Sequence, residues 1–141
     1  MKEVHILLVE DNEGDIVLTL YAFEESKIKT KISVVRNGAD ALDFMFKKGN
    51  FKEAERPDLV LLDINIPVYN GHDVLKKIKA DDSLKRIPVI MLTTSSSQTD
   101  INKAYENYTN SYVTKPIDMG DFLKVILKIE EFWLQLSKLA N

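Results

Sequence analysis

A chain of 141 residues, 45% hydrophobic and 29% charged, has the composition of one soluble globular domain, with enough length to bury a core. Its net charge of −3 at pH 7 gives no electrostatic case for a nucleic-acid partner, and the absence of cysteine excludes disulfides, thiol catalysis and zinc–thiolate sites. The first apolar run, Ile6 to Val9, is too short for the apolar region of a signal peptide or for a membrane span, so the expected location is the cytoplasm, with no membrane partner.

Val4 to Val9 reads as a first buried strand, closed by the acidic pair Glu10-Asp11. Asn12 or Asp15 caps a helix running to about Glu25, with Ile16, Leu20 and Phe23 at i, i+4 and i+7. Lys31 to Val35 is a second, more polar strand. Asn37-Gly38 precedes a second helix carrying Leu42, Met45 and Phe46 on one side and stopped by Gly49. After a charged loop, Phe51 to Arg56, the run Leu59 to Leu62 reads as a strand covered on both faces and ending at Asp63. Ile66-Pro67 and Asn70-Gly71 mark the loop beyond it.

A third helix covers about His72 to Ala80, with Val74, Leu75 and Ile78 on one side. Val89 to Leu92 is a fourth strand, running into Thr93–Ser97, a stretch without glycine that suits the start of a helix better than a phosphate cradle. A fourth helix, about Asp100 to Tyr108, puts Ile101, Ala104, Tyr105 and Tyr108 on one stripe. Ser111 to Thr114 is a short fifth strand ended by Lys115-Pro116, and Asp118 caps a last helix reaching about Leu139. Strand and helix thus alternate five times, which predicts a parallel sheet with helices on both faces. Strands one, three and four are the apolar ones and belong in the middle. The order 2-1-3-4-5 satisfies this, a doubly wound, flavodoxin-like α/β arrangement with an extended C-terminal helix.

In such a sheet Glu10-Asp11, Asp63, Thr93 and Lys115 all follow strand ends on one edge, and the crevice between strands one and three is where ligands bind. Two carboxylates about 4 Å apart repel by on the order of 4 kcal/mol at an effective dielectric near 20. Either their pKa values rise or a cation sits among them, and oxygen ligands without histidine or thiolate favour Mg²⁺. Lys115 adds a point charge and Thr93 a hydroxyl. This set suits phosphoryl transfer, with Asp63 attacking phosphorus in line to form an aspartyl phosphate.

The combination Glu10-Asp11, Asp63, Thr93 and Lys115-Pro116 resembles the receiver domains of two-component response regulators over about residues 4–129. The resemblance implies that Asp63 accepts a phosphoryl group from a sensor histidine kinase or a phosphorelay partner, as a signalling acceptor and not as a turnover enzyme. It implies a Mg²⁺ site made by Asp11, Asp63 and the backbone carbonyl of Asn65 with Glu10 beside them, Thr93 and Lys115 on the phosphoryl oxygens, and a cis Lys115–Pro116 peptide. Tyr112 matches an aromatic switch position that turns inward as Thr93 is drawn to the phosphate. A narrower likeness, in Leu84–Pro88, Leu92–Ser95 and Glu131–Leu134, is to the stand-alone receivers that partner bacterial phytochromes.

The whole chain, 1–141, is expected to be one receiver domain, with a core of about 4–129 and a C-terminal extension of about 130–141. From Met119 to Leu139 the last helix would be roughly 30 Å long, more than one face of a small sheet needs. Its surplus apolar residues, Phe132, Trp133 and Leu136 among them, either fold back on their own domain or, the preferred reading, form a homodimer through the fourth and fifth helices. His5 and His72 have no ligand spacing and read as incidental. Two rival functions remain. A Mg²⁺-dependent phosphohydrolase would carry a second aspartate where Asn65 stands. A flavodoxin-like cofactor binder would place its phosphate loop where Glu10 and Asp11 repel one.

Overall fold

In the computed structural model, which describes residues 3–140, the elements run β1 (Val4–Val9), α1 (Glu13–Glu24), β2 (Thr30–Val35), α2 (Gly38–Phe46), β3 (Leu59–Leu62), α3 (Gly71–Ala80), β4 (Val89–Thr93), α4 (Gln98–Glu106), β5 (Ser111–Thr114) and α5 (Met119–Glu130). The ends of the expected 1–141 domain span, residues 1, 2 and 141, lie outside the described residues. All strand pairs are parallel and the order is β2-β1-β3-β4-β5, as the hydrophobic pattern predicts.

Alternation along the central strands divides the core into two layers. Leu7, Val9, Val60, Leu62, Val89 and Met91 pack against α2, α3 and α4, where Ala41, Met45, Val74, Leu75, Ile78 and Ala104 meet them. Ile6, Leu8, Leu59, Leu61, Ile90 and Leu92 face α1 and α5 through Ile16, Phe23, Phe122 and Ile126. Strands buried on both faces are apolar at nearly every position, which is why Ile6–Val9, Leu59–Leu62 and Val89–Leu92 read as hydrophobic runs. Among the described residues no helix is long and apolar enough to cross a membrane.

Each α-helix starts on a short polar side chain, Asn12, Asn37, Asn70, Ser97 or Asp118, which accepts the amide hydrogen three residues on. The ends depart from expectation. Helix α2 stops at Phe46 because Lys47, two residues before Gly49, already takes the left-handed conformation (φ 56°) and lets Lys48 N–H bond back to Asp43 O; Gly49, itself at φ 57°, then opens a 3₁₀ turn over Gly49–Phe51. Helix α4 ends before Tyr108, which is itself left-handed (φ 67°), while Thr109 N–H bonds to Ala104 O. Of the expected α4 stripe only Ala104 is buried, so this helix leaves Tyr105 and Tyr108 in solvent. After α5 the chain winds on as a π-helix over Glu131–Leu136, and Ser137, extended, ends it short of Leu139 by donating to Phe132 O.

Two glycines fasten the loop after β3. A Cβ on Gly71 would lie 2.3 Å from the carbonyl oxygen of Asp63, and one on Gly38 2.0 Å from that of Tyr69. Bare backbone is the only thing that fits at either contact, so α2 and α3 begin in direct apposition to the segment leaving Asp63.

Candidate active site at the carboxyl ends of the strands

Register brings the expected residues together. The last paired residues are Val9, Leu62 and Val35 around β1, and Thr93 opposite Thr114 in β4–β5. One residue further lie Glu10, Asp63 and Lys115, with backbone bonds Glu10 N–H to Val35 O, Asp63 N–H to Val9 O and Lys115 N–H to Thr93 O extending the ladders (3.1, 3.1 and 2.7 Å). Rigid strands therefore aim three charged side chains into one cup.

The Lys115 ammonium is the centre of that cup. It donates to Asp63 Oδ2 and Asp15 Oδ2, each at 2.9 Å, and to Glu10 Oε1. Glu10 Oε2 accepts the amide hydrogens of Asp11 (3.1 Å) and Asn12 (3.2 Å), which turns the glutamate back over the start of α1. The Asn65 amide lies 3.4 Å from Asp63 Oδ1. Glu10, Asp63 and Lys115 are buried, while Asp11 is exposed.

Charge is out of balance here. One ammonium serves three carboxylates, and Asp11 adds a fourth anion beside them. Burial pushes the Glu10 carboxyl from 4.5 up to about 7, against the lowering effect of its Lys115 bond and with the Asp63 charge adding to the rise. Burial alone would lower Lys115, but its bonds to Glu10, Asp15 and Asp63 outweigh that and hold it above the ordinary lysine range. The two shifts differ in their main cause: the surrounding anions lift Lys115, whereas burial chiefly lifts Glu10 and the Asp63 charge adds to it. Glu10, Asp11 and Asp63 each offer an oxygen within 4.8 Å of the others, a hard-oxygen set that fits Mg²⁺ and would neutralise the excess.

Thr93 is fully buried at the end of β4, its Oγ1 3.4 Å from the Ser95 amide, and its hydroxyl makes no direct bond to the side chain of Asp63 or Lys115. Tyr112 is half-buried on β5 and its hydroxyl donates to Ser95 O at 2.8 Å. The Lys115–Pro116 peptide is trans, against expectation; no cis bond occurs among the described residues. The trans form is the default even before proline, by about 0.5–1 kcal/mol, and Lys115 reaches all its partners with it.

Three residues lie outside what the sequence marked. Asp15 shares Lys115 from the first turn of α1, where an acid reads as an ordinary helix-start residue. His72 is buried with Nε2 3.0 Å from Asp100 Oδ1, and so is not incidental. His5 is also buried, its Nε2 2.8 Å from Ser33 Oγ at the far end of the sheet, and the two histidines share no site. The expected dimer residues are split: Phe132 and Leu136 are 54% and 70% exposed, but Trp133 packs partly onto the α5 side of the core.

The family model for the response regulator receiver domain matches residues 6–127. The chain is 40% identical over 130 residues to the response regulator Rcp1 of Synechocystis sp., spanning 92% of this chain and 88% of that protein. The crystal structure of the phosphorylated cyanobacterial phytochrome response regulator RcpA superposes with a TM-score of 0.97 at 39% identity, covering 99% of this chain and 100% of that one. The crystal structure of the Mn²⁺-bound form of the response regulator Rcp1 gives 0.95 at 38% identity, over 98% and 99% of the two chains.

Proposed function

We propose that this chain, which belongs to the response regulator receiver domain family, accepts a phosphoryl group on Asp63 and signals by a change of shape. The observation that carries this reading is the single buried ammonium of Lys115 shared by Asp63, Glu10 and Asp15 beside Asp11. An Asp63 oxygen attacks phosphorus in line. The new P–O bond forms as the P–N bond of a phosphohistidine donor breaks, and its electron pair returns to the imidazole. Lys115 stays within reach of the phosphorylated carboxylate and offsets charge on the equatorial oxygens.

Glu10, Asp11 and Asp63, with the backbone carbonyl of Asn65, would hold Mg²⁺, which when bound supplies further neutralisation of the transferring group. Thr93 turns its hydroxyl to a phosphoryl oxygen. Ser95 and Tyr112, tied to it through the Ser95 amide and carbonyl, follow. The equilibrium between the two arrangements of this loop is the signal.

The likeness to RcpA and Rcp1 supports a sensor histidine kinase of the phytochrome type as donor. The rest of the reading is a cytoplasmic single-domain regulator, 1–141 with its core at about 4–129, that binds neither nucleic acid nor membrane and pairs with a second copy through α4 and α5. Acetyl phosphate with Mg²⁺ tests the chemistry. Intact-mass spectrometry should find one phosphoryl group per chain, and Asp63→Asn should abolish it. Persistent labelling of that variant would identify a different acceptor, and continuous turnover of the ester would make the protein a phosphohydrolase.

A further inference from the structure

Behind the carboxylate cup runs a second hydrogen-bonded chain. Asp100, in the first turn of α4, accepts the Ser95 hydroxyl on Oδ2 at 2.6 Å and lies with Oδ1 3.0 Å from Nε2 of His72, the second residue of α3. Ser95 continues the chain in two directions: its carbonyl accepts the Tyr112 hydroxyl, and its amide lies against Thr93 Oγ1. The bonds from Ser95 and then from His72 hold the Asp100 carboxyl below the usual aspartate range, so it is an anion and can only accept. Nε2 of His72 therefore carries the hydrogen.

The imidazole is 4% exposed, and its Nδ1 is buried with no hydrogen-bond partner among the described residues. An unpaired buried polar atom is costly, and a leucine would fill the space without it. The imidazole's one polar bond here is the one to Asp100. His72 is also one residue from Gly71, whose amide bonds to Ile64 O and whose Cα abuts the Asp63 carbonyl. The β4–α4 loop is thus moored on both sides, to β5 by Tyr112 and to the start of α3 by His72.

We propose that His72 is a positioning residue which, through Asp100, fixes the Ser95 loop and sets how readily Thr93 and Tyr112 rearrange when Asp63 is modified. The inference deepens the receiver reading and rests on it for its functional half. For Thr93 to move toward a phosphoryl group Ser95 must follow, and Ser95 is held by the same carboxylate that His72 holds. Loosening the imidazole end frees the loop; tightening it retains the loop.

The full chain is compared as wild type, His72→Leu, His72→Gln and Ser95→Ala, by ¹⁵N–¹H spectra of the unphosphorylated protein and by the decay of acetyl-phosphate-labelled Asp63. His72→Leu should displace the Ser95 amide and Tyr112 ring resonances and change the lifetime of the labelled form by about threefold or more, the range of a coupling carried through one contact chain. His72→Gln, whose amide can donate to Asp100, should restore both. A His72→Leu protein with wild-type Ser95 and Tyr112 signals and a wild-type lifetime overturns the proposal. If that variant does not fold, Ser95→Ala decides: losing its hydroxyl should move the Nε2–H signal of His72 through Asp100, and an unmoved signal overturns the proposal equally. A wild-type chain that takes no label defeats the receiver reading instead, and leaves the spectral comparison to be judged separately.

Discussion

Val68, five residues past Asp63, sits at φ 72° with its side chain 71% exposed. The left-handed region costs an L-residue roughly 1–2 kcal/mol, and a β-branched one has the least latitude there. Nothing is regained by burial. Val68→Asn, which tolerates this conformation, should therefore stabilise the fold by about 1 kcal/mol, read as a higher urea midpoint at unchanged slope. An unchanged midpoint would mean that the loop relaxes without strain. Glu10 makes the second residue-scale prediction. Its folded pKa is raised, from 4.5 to about 7, so without metal the folded state holds this proton more tightly than the unfolded chain. The resulting stability is present at low pH and lost as pH rises through about 7. A divalent ion needs the anion and must displace that proton, which weakens binding by up to about tenfold per unit below the pKa. The rise in melting temperature caused by Mg²⁺ should be clearly larger at pH 8 than at pH 6, and Glu10→Gln should remove most of that difference. Equal rises at both pH values in the wild type would clear Glu10 of the role.

Among the elements, α5 and its π-wound continuation carry the clearest surface consequence. Phe132 and Leu136 stand in solvent while Trp133, edge-on to Phe132 at 5.3 Å, leans on the core. Only the first two are free to serve a partner chain, so Phe132→Glu with Leu136→Glu should leave the fold intact and weaken self-association by at least about tenfold, as a charge buried unpaired in an apolar contact does. Light scattering across a concentration series reads this, and a wild type that stays monomeric throughout removes the dimer. Element types were legible from periodicity, but their ends less so. The caps at Asn12 and Asp118 could be read because a short polar residue precedes an apolar repeat. The stop at Lys47 could not, because a lysine in the left-handed region carries no residue signature. The change from α to π winding after Glu130 likewise leaves no mark in an apolar repeat that continues through Phe132, Trp133 and Leu136.

At the scale of the molecule, the sheet separates two ends. The charged cup lies past the last residues of β1, β3 and β5, whereas Trp133 packs near Ser111 and Val113 toward the start of β5. Saturating Mg²⁺ should therefore leave tryptophan emission nearly unchanged in intensity and wavelength; a strong quench would place the ion elsewhere. The same geometry explains why most of the site was readable in the chain itself. Glu10, Asp63, Thr93 and Lys115 are each at or one step beyond the end of a strand, so finding the strands found them. Asp15 acts from a helix turn where acids are commonplace, and His72 and Asp100 are 28 residues apart on different helices with no motif joining them. Lys115 has a final consequence. A lysine has three hydrogens to give, and here Glu10, Asp15 and Asp63 have claimed them all. Any newcomer oxygen in the cup must evict an incumbent, so on the proposed reading the arrival of phosphorus would be felt at once by the first turn of α1 as well as by the loop beyond β4.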